Sequence, residues 1–185
     1  VAMLEKIVTS MQTAATEAGI QIVAGDTKVV QKGNADGLYI ATSGVGAISP
    51  DIKISGSEAK PGDVIILSGL IGDHGIAVLA ARGELGFEAD LKSDVAPLNH
   101  LVEAIVSVSH ENIHVLRDPT RGGLATTLNE IAHQSHTSII IDERDIPVRP
   151  VVAAVCEILG FDPLYVANEG KLVAIVDHRI ASATL

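Results

Sequence analysis

Hydrophobic residues recur along this chain with two periods, and together they predict alternating helices and strands. From the first residues, apolar side chains repeat every three or four positions as far as Ala15, and Gly19 is placed to end that helix. Helical spacing also predicts helices at residues 75–82, 97–108, 122–133 and 151–159. Short apolar runs predict strands at residues 20–24, 38–42, 64–67, 114–117, 137–141 and 171–176. This alternation predicts an α/β or α+β fold with mixed connections.

The segment 49–63, SPDIKISGSEAKPGD, is polar and rich in turn-forming residues, so it is the predicted domain boundary. It separates residues 1–50 from residues 51–185. A helical pattern stands at each end of the chain, and no capping residue precedes the first helix. We therefore expect a piece of a longer protein.

Composition and charge exclude several classes of protein. Hydrophobic residues make up 47% and charged residues 19% of the chain, a balance typical of globular proteins. The net charge of −10 and the aromatic content of 2% argue against nucleic acid, which requires a basic surface or stacking side chains. No apolar run reaches the roughly 18 residues of a membrane span, so we expect a cytoplasmic protein. The single cysteine, Cys156, excludes an intrachain disulfide and falls on the apolar side of a predicted helix, where a buried thiol is expected.

The segment HENIH, residues 110–114, matches the zinc-protease pattern H-E-x-x-H. That pattern holds a metal only on a helix, where both imidazoles share a face. Here the helix is ending, and His114 already belongs to the next strand, so we favour a polar helix-to-strand loop. His133 and His136 lie at the end of another predicted helix, where their partial positive charge suits the helix dipole.

The segment SGLIGDHG, residues 68–75, connects a strand to a helix, as phosphate-binding loops do. Its glycines fit neither the Walker A pattern nor the dinucleotide-binding pattern, so we favour a structural turn that lets the helix pack closely on the strand. Asp73 and His74 are candidate caps of that helix.

The segment GDTK, residues 25–28, follows a predicted buried strand, a position at which α/β folds expose ligand-binding groups. Asp26 is a candidate Mg²⁺ ligand, Thr27 a hydrogen-bond donor to nucleotide phosphates, and Lys28 a cation that neutralises them. A strand-end turn with a capping aspartate explains the same residues, and spacing alone leaves both interpretations open.

The segment DPTRGG, residues 118–123, opens a predicted helix. Thr120 or Asp118 is a candidate helix cap, and Gly122 and Gly123 would leave the first helical amides open to an anion. Asp118 is also a candidate metal ligand, and Arg121 a candidate phosphate ligand. A packing turn that requires positive φ is the alternative, and both remain open.

The segment NEG, residues 168–170, precedes the last predicted strand. Glu169 is a candidate general base if it is buried beside a ligand. A hairpin turn is the more common reason for such a sequence.

Four segments, taken in their order along the chain, resemble one known family: VAGDTKVV (23–30), SGLIGDHGIAVLAAR (68–82), RDPTRGGLATTLNEIA (117–132) and VANEGKLVAIV (166–176). They resemble the hydrogenase maturation family of the PurM-like (aminoimidazole ribonucleotide synthetase-related) superfamily, across essentially all 185 residues. The resemblance implies two domains, each a mixed sheet flanked by helices, that dimerise through the first domain. Residues 1–50 would end the N-terminal domain, and residues 51–185 would form most of the C-terminal domain.

The resemblance also implies an activity. In this family, ATP and Mg²⁺ bind between the domains, with the acid at Asp26 near the metal and the phosphates. The enzyme dehydrates a thiocarboxamide on its own C-terminal cysteine to a thiocyanate, which supplies the cyanide ligand of the [NiFe] hydrogenase iron. HypF provides the carbamoyl group, and the HypC–HypD complex accepts the cyanide. The expected catalytic residues are Lys28, which clamps phosphate, and Glu169, which removes a proton.

One departure limits this expectation. The family's modified cysteine belongs to a C-terminal Pro-Arg-Ile-Cys tail, whereas this chain ends at Ala-Thr-Leu, so we expect the 185 residues alone to be inactive. The alternatives are another PurM-like ATP-using synthetase, of selenophosphate or purine synthesis, and a non-catalytic module that docks a partner.

Overall fold

The chain folds as two compact units, Val1–Pro50 and Asp51–Leu185, in a computed structural model that describes residues 2–83, 86 and 90–185. In the first unit, helix α1 (Ala2–Glu17) confirms the predicted helix. Gly19 has a φ of 65° and ends it, because the next amide, Ile20 N–H, turns back to donate to the carbonyl of Ala15 at 2.9 Å.

The predicted strands at 20–24 and 38–42 are wrong, since residues 20–50 form neither helix nor strand. The apolar side chains of this segment favour extended backbone, but a strand also requires a hydrogen-bonded neighbour. Within the first unit, no described segment pairs with them.

The second unit contains a three-stranded sheet in the order β1-β3-β2. The strands are β1 (Val64–Leu67), β2 (Ile113–Arg117) and β3 (Val173–Val176), and β3 pairs antiparallel with both neighbours. Strands β1 and β2 therefore run in the same direction, and the loops that leave them emerge at the same edge of the sheet, where β3 begins.

The described residues of the second unit form five helices: α2 (Asp73–Ala81), α3 (Asn99–Ser109), α4 (Gly123–Ser135), α5 (Pro150–Leu159) and the short α6 (Ala181–Thr184). Single 3₁₀ turns lie at 110–112, 143–145 and 163–165. The first four helices and all three strands match the predicted elements to within two residues, which confirms the mixed α/β class. The ladders themselves are antiparallel, and a parallel bridge joins Ile71 to Val148 outside them.

The predicted strand at 137–141 is also wrong, because these residues form no regular structure. Ile140 is 92% exposed, while Ile139 packs against the core cluster beneath α4. Partly buried and exposed side chains thus alternate at residues 137–140, although this segment does not form a strand.

Strand β3 is buried along its whole length, and its side chains alternate between two cores. Val173 and Ile175 pack with α4, whereas Ala174 and Val176 pack on the other face with residues of α3. Full burial of a valine or isoleucine contributes about 1.5–3 kcal/mol, so this strand is a major source of stability. Cys156 lies in a third cluster between α2 and α5, which confirms a buried thiol, and burial raises its pKa.

Strand β2 contains a bulge at His114, which is buried. The register shifts between Ile113, which pairs with Val176, and Val115, which pairs with Ile175. The extra residue sends Ile113 and Val115 to opposite faces of the sheet. His114 lies in strand β2, as predicted, outside the 3₁₀ turn at 110–112.

Candidate active site

Three loops meet at one edge of the sheet, which we call the motif edge: residues 68–72 after β1, 118–122 after β2, and 166–171 before β3. The antiparallel ladders bring them together, because β1 and β2 end where β3 begins. Beyond the last ladder pair, Ser68 N–H donates to the carbonyl of Leu172 at 3.0 Å, and Leu172 N–H donates to Ser68 Oγ at 2.9 Å. Three sequence-predicted motifs thus lie together.

Asn168 joins the three loops through its side chain. Its Oδ1 accepts a hydrogen bond from Gly72 N–H at 2.7 Å. Its Nδ2 donates to the carbonyls of Pro119 at 2.9 Å and Val166 at 3.1 Å. Asn168 is completely buried, so these bonds replace water on both ends of the amide.

The glycines of the 68–75 loop provide room for the chain itself. A Cβ on Gly72 would lie 2.7 Å from Val152 Cγ1, and one on Gly75 would lie 2.5 Å from Val166 Cγ1. Gly75 N–H also donates to the carbonyl of Ala167 at 3.0 Å. These glycines let α2 approach the 166–167 backbone and α5, which supports a structural turn, although the segments approached are not the strand that the sequence analysis expected.

Gly123, the first residue of α4, is buried in the same way. A Cβ there would collide with the carbonyl oxygen of Leu164 and lie 2.7 Å from that of Val166. These oxygens occupy the space beside the helix N-terminus and suit its partial positive charge. Gly122 remains exposed, with a φ of 69°. Geometry therefore gives Gly123 a packing role, and its predicted contact with phosphate stays a prediction.

The predicted helix caps are wrong. Helix α4 has Gly122 at its N-cap without a side-chain cap bond, so neither Asp118 nor Thr120 caps it. The left-handed glycine turns the chain into the helix and leaves these side chains outside the first turn. Asp118 instead lies 3.3 Å from Arg117 Nη1 on the surface, and Thr120 is half-buried. Helix α2 likewise begins after Gly72 without a side-chain cap.

Glu169 is half-buried in the turn before β3. Its N–H donates to Asp94 Oδ1 at 3.2 Å, and Asp94 Oδ2 lies 3.1 Å from Lys171 Nζ. Gly170 closes the turn with a φ of 53°. The turn is not a hairpin, because a 3₁₀ turn at 163–165 precedes it instead of a strand.

A buried carboxylate, that of Asp73, lies at the start of α2. Asp73 is 3% exposed, and its Oδ2 accepts a hydrogen bond from Arg149 Nε at 2.7 Å. This bond raises the pKa of Arg149, and the charges of Asp73 and Asp94 add to the effect. Asp73 Oδ1 has no hydrogen-bond partner among the described residues. A cavity of about 330 Å³ lies beside Arg149, between residues 90–92 and Val151.

The structure assigns the predicted site residues to both units. Asp118, Thr120, Gly122, Gly123 and Glu169 lie at or beside the motif edge of the second unit. The GDTK segment belongs to the first unit, where Asp26, Thr27 and Lys28 are exposed and lie outside helices and strands. Within the described part of the chain, no group of three or more acidic, histidine or cysteine side chains is arranged to hold a metal.

Sequence reasoning missed the residues that hold the loops in place. Asn168, Asp94 and Lys171 act through contacts with residues far away in sequence, such as Gly72, 96 positions from Asn168. No local pattern identifies such contacts; the available signal was the polar segment 168–170 ahead of an apolar strand. The histidines of α4 agree with prediction, since His133 and His136 are exposed at its C-terminal end.

The arrangement belongs to a known family. A model of the family described as AIR synthase related protein, C-terminal domain, matches residues 60–184. This match covers more than half of the chain, so the chain belongs to that family.

Individual relatives agree. Carbamoyl dehydratase HypE of Cupriavidus necator is 55% identical over 182 residues, covering 98% of this chain and 52% of that protein. The chain therefore spans about half the length of the curated relatives it matches. These similarities confirm the predicted resemblance to the PurM-like hydrogenase maturation family.

Solved structures give the same result. A crystal structure of the hydrogenase maturation protein HypE in complex with ATP is 53% identical, with a TM-score of 0.93, and the match covers 99% of this chain and 54% of that one. A HypE–HypF complex is 46% identical with a TM-score of 0.87, covering 99% and 60% of the two chains.

Among the described residues, no helix is both long and apolar enough to span a membrane.

Proposed function

We propose that the protein to which this chain belongs carries out ATP-dependent dehydration of a C-terminal cysteine thiocarboxamide to a thiocyanate. The product would supply the cyanide ligand of the [NiFe] hydrogenase iron. The observation that carries this proposal is the 55% identity to a carbamoyl dehydratase along 98% of the chain, which includes all four motif segments. A selenophosphate or purine synthetase is less well supported, because the similarity follows the hydrogenase maturation proteins.

The two units would be parts of two domains. Residues 1–50 would end the N-terminal domain, through which the protein forms a homodimer, and residues 51–185 would form most of the C-terminal domain. The protein would bind ATP. A solved HypE contains ATP and another is complexed with HypF, which supports ATP as a substrate and HypF as carbamoyl donor. The HypC–HypD complex would accept the cyanide in the cytoplasm.

The residues of the first unit suit Mg²⁺ and phosphate by their chemistry. Asp26 offers an exposed carboxylate, and Mg²⁺ characteristically takes one or two carboxylates together with phosphate oxygens. The ion would neutralise phosphate charge. Lys28 would clamp the phosphates, and Thr27 would donate a hydroxyl hydrogen bond.

The motif edge of the second unit carries the other candidate nucleotide ligands. Asp118, Thr120 and Gly122 are not fully buried, so their polar atoms are available to a ligand. Gly123 would contribute indirectly, because its missing side chain lets α4 begin against the 164–166 backbone.

The amide oxygen of the thiocarboxamide is a poor leaving group, so the reaction requires that it be activated. ATP would transfer its γ-phosphoryl group to the amide oxygen, releasing ADP. Two protons leave the nitrogen, one as the phosphorylated imidate forms and one as phosphate departs with the carbon–oxygen bond electrons, which creates the nitrile. Glu169, half-buried beside Asn168, would accept a proton as general base.

The test uses a protein with the full length of the relatives, loaded by HypF with a carbamoyl group. Wild-type protein should convert its terminal thiocarboxamide to thiocyanate, seen by mass spectrometry as the loss of one water, and release phosphate. Glu169→Gln should reduce the rate by about 100-fold or more, because general-base catalysis contributes about 10²–10⁴. The matched control is Glu130→Gln, which only removes a surface ion pair with Arg117.

A second pair of variants tests the metal and phosphate assignment. Asp26→Asn should lower turnover and weaken its dependence on Mg²⁺, whereas Asp36→Asn, at another exposed acid of the first unit, should not. Turnover that is equal in Asp26→Asn and wild type would refute the assignment. Absence of thiocyanate in loaded wild-type protein would refute the proposed function as a whole.

A further inference from the structure

The turn that contains Glu169 is held from two sides. On one side, Asn168 is bonded to the loops of the motif edge. On the other, Glu169 N–H donates to Asp94 Oδ1 at 3.2 Å. Asp94 belongs to the segment between α2 and α3 and is separated from Glu169 by 75 positions, so this bond anchors two distant parts of the chain.

Gly170 shows how closely the two segments pack. A Cβ at this position would collide with the carbonyl oxygen of Asp94 and lie 2.6 Å from the backbone nitrogen of Ala96. Only glycine leaves space there, and its φ of 53° also favours glycine. The backbone at 94–96 is therefore part of the wall that shapes the turn, and Asp94 cannot move without affecting Glu169.

The charge of Asp94 is compensated inside the protein. The side chain of Asp94 is 6% exposed and that of Lys171 is 13% exposed, and their charged atoms lie 3.1 Å apart. Removing one member of a buried pair leaves the other charge without compensation, which is costly. Lys171 also lines Gly69, since a Cβ there would lie 3.1 Å from Lys171 Cε. The pair thus connects the turn to the loop after β1.

We propose that Asp94 is a positioning residue for Glu169: it fixes the backbone of the 168–170 turn through the Glu169 amide and through its ion pair with Lys171, and so aims the Glu169 carboxylate. This role rests on the proposed function, because Glu169 is the base of that reaction. Asp94 itself touches no reacting atom in this scheme. A small displacement of a catalytic group is sufficient to reduce rate strongly without changing substrate affinity.

Asp94→Ala is the central variant, studied in the full-length protein. The kcat for thiocyanate formation should fall by about 10- to 100-fold, while KM for ATP stays within about twofold, since a misplaced base affects chemistry and not nucleotide binding. Asp94→Asn keeps an oxygen that can accept from Glu169 N–H, so its loss should be smaller. Adding Lys171→Gln to Asp94→Asn removes the uncompensated ammonium and should restore part of the lost kcat.

Asp177→Ala is the matched control. Asp177 likewise accepts a backbone N–H, from Arg179 at 2.9 Å, and forms an ion pair with that residue at 2.7 Å, but at the other edge of the sheet. Its kcat should equal that of wild type. Amide hydrogen exchange provides a readout that needs no catalysis: the Glu169 N–H should exchange faster in Asp94→Ala and unchanged in Asp177→Ala.

The outcomes separate the two proposals. If wild type forms no thiocyanate, the proposed function fails and the role of Asp94 in it fails as well. If wild type turns over but Asp94→Ala has the same kcat, or the double variant recovers nothing over Asp94→Asn, only the positioning role is refuted. A fall in kcat with unchanged KM, faster exchange at Glu169 and partial recovery in the double variant support it.

Discussion

The two edges of the sheet are built from different interactions. At the motif edge, glycines and the amide of Asn168 hold the loops against backbone atoms, and one buried ion pair, Asp94 with Lys171, adds to these contacts. At the opposite edge, formed by residues 60–63, 112–114 and 177–179, ionisable side chains near the surface make the contacts: Asp63 accepts from His114 Nδ1 at 2.7 Å, and Asp177 pairs with Arg179. Backbone packing tolerates no added atom, whereas charge pairs respond to pH and salt. We therefore expect added atoms to destabilise the motif edge most, and pH and salt to affect the opposite edge most.

Asn168→Ala should produce the largest loss of stability. It leaves the N–H of Gly72 and the carbonyl of Pro119 buried without their partner. Each unsatisfied group costs about 1–3 kcal/mol, so we expect the free energy of unfolding to fall by about 3–5 kcal/mol. Urea unfolding measures this value. The control is Asn129→Ala, which removes a bond within the exposed face of α4 and should cost under about 1 kcal/mol. Equal losses would contradict the joining role of Asn168.

Gly123→Ala and Gly160→Ala form a matched pair that isolates the effect of close packing. Both glycines are left-handed, with φ of 64° and 69°, but a Cβ meets nothing within 4 Å at Gly160. Strain alone should cost about 1–2 kcal/mol in each variant. Gly123→Ala should cost about 1–3 kcal/mol more, because its methyl group meets the carbonyls of Leu164 and Val166. Thermal or urea unfolding of both variants tests this difference, and equal values would show that the 164–166 backbone yields.

Asp63→Ala tests the opposite edge. Asp63 accepts hydrogen bonds from His114 Nδ1 at 2.7 Å and from Lys60 N–H at 2.8 Å, and Lys60 Nζ lies 3.1 Å from His114 Nε2. The variant leaves a buried imidazole without its acceptor, and we expect a loss of about 2–3 kcal/mol in urea unfolding. Asp51→Ala, at an exposed position of the same unit, should change stability by less than about 0.5 kcal/mol. Amide exchange at Glu169 should remain as in wild type, because the motif edge is held by other contacts.

Hydrophobic periodicity was sufficient to predict an element whose apolar side chains have one clear packing partner. The apolar face of α4 and the continuous apolar run of β3 define both elements and their packing, and both were predicted. It failed at 20–24, 38–42 and 137–141, where β-favouring residues meet no partner strand among the described residues. Strand pairing is a long-range property, and composition does not contain it.

The candidate site likewise has features that the sequence predicts and contacts that it does not. The loops of the motif edge were predicted because glycine and short polar residues mark strand ends, but their contacts were not. Whether Gly123 faces a ligand or the protein depends on carbonyls more than 40 positions away. The bulge at His114 was equally hidden, since its effect is visible only in the register against β3. The predicted ligand contacts of Asp26, Thr27 and Lys28 remain predictions.

Asp177→Asn should have the smallest effect, and it should depend on pH. Hydrogen bonds from the side chain and backbone of Arg179 hold the pKa of Asp177 well below its ordinary value of 3.8. A carboxyl whose pKa is lower in the folded state contributes stability above its unfolded pKa and loses that contribution as pH falls through the folded pKa. Wild type should therefore exceed Asp177→Asn in Tm at pH 6, and the gap should narrow from about pH 4 downward. The pair is at the surface, so salt should also narrow the gap. Tm measured from pH 2 to 7 at low salt, with Asp51→Asn as control, tests this expectation; a gap independent of pH would mean that Asp177 acts through shape and not through charge. Gly123→Ala provides the contrast between the edges, because its loss should not vary with pH or salt.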